Sequence, residues 1–158
     1  MTVIVNIKGG TKTQKKHAES MVRFTVKKLM PRMNNLEINL HLKKFTKDND
    51  TYGYALPTDD ADADRPREFD LEINTDTRLR RILETVAHEM VHVKQFARGE
   101  LYQSSRTAKH RWMGKWIQKD PDYWDQPWEI EAAGRECGLF VRWAESNGLG
   151  HKAWTKDN

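Results

Sequence analysis

Apolar residues recur with two periods along this chain, and the switches between them mark out its elements. Residues 3–7 alternate, with Val3, Val5 and Ile7 on one side, and Gly9-Gly10 closes the run, which predicts a strand. Thr11 or Thr13 then caps a helix that runs to about Met30, with Ala18, Met21, Val22, Leu29 and Met30 inward, the lysines outward and Pro31 as the stop. Alternation returns at 36–42, at 52–56 and at 69–74, giving three more strands. Between 79 and 97 the period lengthens. Leu79, Ile82, Leu83, Val86, Met90, Val93 and Ala97 form one helical stripe, with caps offered by Thr75, Asp76 or Thr77 and an exit at Gly99.

Beyond Gly99 the pattern is irregular. Residues 111–117 predict a short hairpin and 120–127 a turn-rich connection. A last helix spans Trp128 to about Ser146, with Asp125 as cap, Pro127 in its first turn and Gly148 at its exit. Its expected buried stripe is Ile130, Ala133, Cys137, Phe140, Val141 and Ala144, and the tail from Gly150 is expected to fray. The order predicts an α+β fold: a mixed or antiparallel sheet of about four strands packed on two helices, with a separate carboxyl-terminal helix. At 158 residues this is one domain, 1–158, with its central helix in 75–99 and its last in 125–147.

Composition narrows the classes. The chain is 32% charged and 37% hydrophobic, with no apolar run near the roughly 20 residues that cross a membrane. Its amino terminus lacks the pattern of a signal peptide, and a lone cysteine, Cys137, excludes an internal disulfide or a thiolate-rich metal site. Both point to a reducing, cytoplasmic setting. The net charge of +4 is uneven: residues 1–47 carry eleven lysines and arginines against Glu19 and Glu37, whereas 48–76 is acidic. The basic third makes nucleic acid or another acidic partner a candidate.

The chemistry centres on His88-Glu89-Met90-Val91-His92, an HExxH pentapeptide. Two imidazoles four residues apart on a helix lie about 40° apart around the axis, so both reach one ion. Glu89 is offset by about 60° from His92, where it addresses a water rather than the metal. A catalytic zinc takes a third protein ligand. Gln95 and Arg98 exclude the HExxHxxGxxH extension, leaving Glu129, Glu131, Glu136 and His110. Glu129 and Glu136 lie at the margin of the predicted buried stripe and Glu131 points away, so Glu129 is preferred by helical face.

HExxH followed by a helix bearing Glu129-Ile130-Glu131-Ala132-Ala133 resembles the gluzincin metallopeptidases, and the layout is similar to SprT-like or minimal gluzincin domains of the kind found among phage metallopeptidases. The resemblance covers residues 75–99 and 124–140. It implies a zincin-like fold, Zn²⁺ as cofactor, a protein or peptide substrate, and Glu129 as third ligand; in the SprT type a histidine serves, which keeps His110 open. It also implies an aspartate where Ala133 stands, a post for which Glu136 or Glu84 is the substitute.

The expected activity is therefore zinc-dependent peptide hydrolysis with Glu89 as general base. Tyr102, Tyr123 and His110 are candidates for stabilising the oxyanion, Tyr123 foremost, and Trp124 and Trp128 for walling the site. The strand at 69–74 is expected to offer a peptide its edge. The other class is a zincin-like binding protein that cleaves nothing and contacts nucleic acid or an acidic partner through its basic amino-terminal helix. His41, His17 and His151 read as bystanders, the last two in polar surroundings. Asp60, Asp62 and Asp64 imitate a calcium loop, but Arg65 and Leu71 stand where its glycine and closing glutamate belong.

Overall fold

A computed structural model describes residues 2–46, 51–59 and 63–156; Asp60 and Asp62 of the acidic run lie outside them. The alternating segments become a four-stranded sheet in the order β1 (Ile4–Gly9), β2 (Glu37–Lys43), β4 (Glu68–Asn74), β3 (Gly53–Pro57). The first three are parallel and β3 is antiparallel to β4. Parallel neighbours need a crossover, which α1 (Lys12–Leu29) supplies between β1 and β2. Its start carries a reciprocal cap: Thr11 accepts from the Gln14 amide while the Gln14 side chain accepts from the Thr11 amide.

Period-2 patterning gives the sheet one dry face. Ile38, Leu40, Leu42, Phe69, Leu71 and Ile73 are all buried beneath the helices. The opposite face carries Asn39, Asp70 and Glu72. The chain is thus α+β, with helices on one side of a mixed sheet. Among the described residues, no helix is long and apolar enough to cross a membrane.

Helix α2 (Leu79–Ala97) lies at the centre. Its predicted apolar stripe meets the sheet and α1, but the other side is covered too, by α3 (Pro127–Ser146). Even Glu89 and His92 are buried as a result. The predicted caps are not used: Arg78 precedes the helix without a side-chain cap, while the Asn74 carboxamide accepts from the amides of Phe45 and Asp76. Gly99 ends the helix at φ +73°, as its sequence position anticipates.

Five further features differ from expectation. Residues 101–116 form a second sheet, β5 (Leu101–Gln103), β6 (His110–Trp112) and β7 (Lys115–Trp116), with the predicted hairpin turning at Met113 and Gly114, both at positive φ. Helix α3 is rotated by about a quarter turn from its predicted face. Trp128, Ala132, Leu139, Phe140, Trp143 and Ala144 are buried, whereas Ile130, Cys137 and Val141 are exposed. Burying two tryptophans and a leucine outweighs burying an isoleucine, a valine and a cysteine. Asp125 does not cap α3; it ends a short 3₁₀ turn (Tyr123–Asp125), and Gln126 precedes the helix. The tail does not fray over its described residues, 150–156. Trp154 packs on Phe140 and Trp143, and the Arg80 guanidinium donates to the Thr155 carbonyl at 2.8 Å. His17, expected in polar surroundings, lies against the rings of Trp143 and Trp154, and burial followed by the charge of Lys16 lowers its pKa.

Candidate metal centre

The turn of α3 places the middle of its buried face, with Glu129 and Glu136, opposite the histidines of α2. His88 Nε2 lies 3.1 Å from Glu129 Oε1 and His92 Nε2 lies 3.1 Å from Glu129 Oε2. One donor atom from each of His88, His92 and Glu129 falls within 4.8 Å of the other two. Donors placed 2.0–2.2 Å from a tetrahedral zinc are about 3.3–3.6 Å apart, so this trio fits a divalent ion with little adjustment. Two imidazole nitrogens and a carboxylate are also the right donor chemistry for a borderline ion.

The sequence had left four candidates for the third position, and their surroundings separate them. Glu131 bonds Lys94 Nζ at 2.7 Å and Gln95 Nε2 at 2.9 Å. Glu136 bonds Arg81 at 2.9 Å and stands 3.8 Å from His88 Nδ1. His110 stacks on Trp128 at 4.6 Å and gives Nδ1 to Asp120 at 2.8 Å. Only Glu129 joins both histidines. Glu84 is held by Arg80 and Arg81, away from the ligands.

His92 has a support that sequence reasoning missed. Its Nδ1 meets Gln95 Oε1 at 2.8 Å. The Gln95 amide nitrogen faces two acceptors, the Trp128 carbonyl at 3.0 Å and Glu131 Oε1, which fixes the orientation of the carboxamide. Its oxygen must then receive a proton from Nδ1, leaving Nε2 as the nitrogen turned toward Glu129. Lys94, itself buried, pairs with Glu131 and with Glu100 and secures the far end. The available signal was spacing: Gln95 follows His88 by seven residues and His92 by three, which puts its amide on the same helical face.

Electrostatics follow from this crowding. Burial alone would lower the His92 pKa, but the bond to Glu129 and the charges of Glu89 and Glu129 override it and raise it to about 9. Burial pushes Glu129 upward, yet hydrogen bonds from His88 and His92, with the charge of His92, hold it well below the usual carboxylate range. Glu89 touches no ligand directly, and burial raises its pKa. Tyr123, half exposed at the mouth, donates its hydroxyl to Glu129 Oε1 at 2.8 Å; burial and that bond raise the phenol.

These groups sit in the floor of an open cleft of about 550 Å³. Its walls are Tyr52, Tyr54, Phe96, Trp124 and Trp128, with His110 at the side. Trp124 is 75% exposed at the rim, edge-on to the Tyr123 ring at 5.1 Å, while Trp128 is buried. Tyr102, another oxyanion candidate, faces away from the cleft in a row with Arg111 and Trp116. The strand at the rim is β3. Sequence patterning assigned that place to 69–74, but β4 is internal, flanked by β2 and β3, so it has no free edge. Gly53 lets β3 approach α2: an added Cβ would stand 2.9 Å from Thr85 Cγ2 and 2.7 Å from the Glu72 carbonyl oxygen. Compared with protein-family models, curated proteins and solved structures, the chain matches none.

Proposed function

We propose that this chain is a zinc-dependent peptidase. The observation that carries the reading is the convergence of His88, His92 and Glu129 on one point, with a buried carboxylate, Glu89, in the same cleft floor. A zinc ion held by that trio would supply Lewis acidity toward a peptide carbonyl and toward water. Everything else falls to side chains. Glu89, its basicity raised by burial, takes a proton from the attacking water at its carboxylate and returns it to the leaving amine as the C–N bond breaks. Tyr123 and His110 flank the cleft as donors toward the developing oxyanion, Tyr123 once its hydroxyl turns from Glu129 and His110 with Nδ1 already engaged by Asp120.

An extended peptide docks on β3. The Asn74 amide bonds the Tyr52 carbonyl and the Thr58 amide the Glu68 carbonyl, so even-numbered residues of this strand face β4. Gly53 and Ala55 therefore turn both their amides and carbonyls outward along the cleft. The aromatic rim, Tyr52 and Trp124 above all, favours substrates with bulky apolar side chains in an unfolded segment.

Cleavage of an unstructured protein such as casein tests the reading. Glu89→Gln should retain stoichiometric metal and lose activity by about 10²–10⁴-fold. Undiminished cleavage by that variant, or none by the metal-loaded wild type toward any peptide library, would exclude it.

A further inference from the structure

We propose that the exposed ridge of α1 is a docking surface for the phosphate backbone of a nucleic acid. Lys12, Lys16, Arg23 and Lys27 stand at i, i+4, i+11 and i+15, and Lys15 flanks them. Together they fall within about 120° of the helix circumference and extend for roughly 22 Å. All are exposed. The helix holds one acid, Glu19, which Arg23 pairs at 3.2 Å.

What marks this ridge is uncompensated charge aligned along one rigid helix. Elsewhere Arg80, Arg81, Lys94, Arg111, Arg135 and Arg142 each rest against a carboxylate. Among the described residues, Lys12, Lys15, Lys16 and Lys27 have no carboxylate within ion-pair distance. Four like charges on one rigid rod repel one another, a cost that a row of phosphates relieves.

The chemistry of the face selects the partner. Every exposed position of α1 is Lys, Arg, Thr or Glu, so nothing apolar is available to enter a lipid surface, as an interfacial helix requires. One nucleic-acid strand presents a phosphate per 3.4 Å of rise, which sets about six phosphates against the ridge. Lysines supply point charges and no base-reading geometry, so binding is independent of sequence. No cleft-lining residue comes from α1, and Glu89, Glu129 and Glu136 make that cleft acidic. A bound polyanion therefore leaves the cleft open.

The test is fluorescence anisotropy of the full chain with a short labelled DNA duplex, titrated at several salt concentrations. Affinity should fall about 250-fold between 50 and 200 mM salt, with a log–log slope near −4. The triple variant K12Q/K16Q/K27Q should reduce the slope to about −1 and weaken low-salt binding more than about tenfold. K109Q/K115Q/K119Q removes the same charge from the exposed second sheet and should behave as wild type. Absence of binding at low salt, equal losses in the two variants, or tighter binding to phosphatidylserine vesicles or poly-glutamate than to the duplex would overturn the proposal.

Discussion

His88 and His92 are one helical turn apart and share a carboxylate, yet they are held in different ways. His92 is buried and gripped on its far side by a chain of short bonds through Gln95 and Glu131 to Lys94. His88 is partly exposed, and the group behind it, Glu136, stands 3.8 Å away and is drawn toward Arg81. One ligand is fixed in position and tautomer; the other can adjust. A site built this way would define a bound ion's place from one side and leave the cleft-facing side compliant.

The largest effect expected is from Glu129→Ala, which removes the group common to both histidines. Metal content, measured after dialysis against a defined trace of zinc, should drop from stoichiometric to near zero, and a variant that stays loaded would break the comparison at its root. Next comes Gln95→Met, which deletes the His92 support at similar volume. Metal affinity should weaken by about 10–100-fold, with a changed visible spectrum in the cobalt-substituted protein. A third effect is on pH. With His92 raised from 6.5 to about 9 in the metal-free protein, its contribution to stability is complete below pH 6.5 and is lost as pH rises through about 9. Metal-free wild type should lose on the order of 3 kcal/mol across that window in urea melts, and His92→Gln should not. The smallest effect is from Glu136→Gln behind His88: less than about tenfold in metal affinity. A loss equal to that of Gln95→Met would show the two supports to be equivalent.

Much of this was legible in one dimension. Alternation and helical stripes located β1, α1, β2, β3, β4 and α2, because each buries a face that its own period defines. The HExxH spacing placed three side chains on one surface for the same reason. Strand order was not legible. The segment 69–74 patterns like any half-buried strand, and only the antiparallel return from β3 inserts it beside β2. Helix α3 shows a finer limit. Ile130, Cys137 and Val141 form as regular a stripe as Trp128, Leu139 and Trp143, and the tryptophans prevail through size and through the rings they meet, His17 for Trp143 and His110 with Trp112 for Trp128. Glu129 was preferred on a stripe that proved misplaced, and the structure sets it beside both histidines all the same. It lies in the middle of the buried face and not at its margin, where the histidines rather than solvent receive it.

The outward amides of β3 carry a consequence for the protein's behaviour in company. A strand that offers its edge to a passing peptide offers it equally to the same strand of another copy, and such pairing propagates into fibres. Pro57 limits this, because it has no N–H to extend the ladder beyond Ala55. Two residues of open edge suffice to align a single chain across the cleft and are too few to hold two folded molecules together. Replacing Pro57 with a β-branched residue would lengthen the edge, and with it the tendency of the protein to assemble on itself.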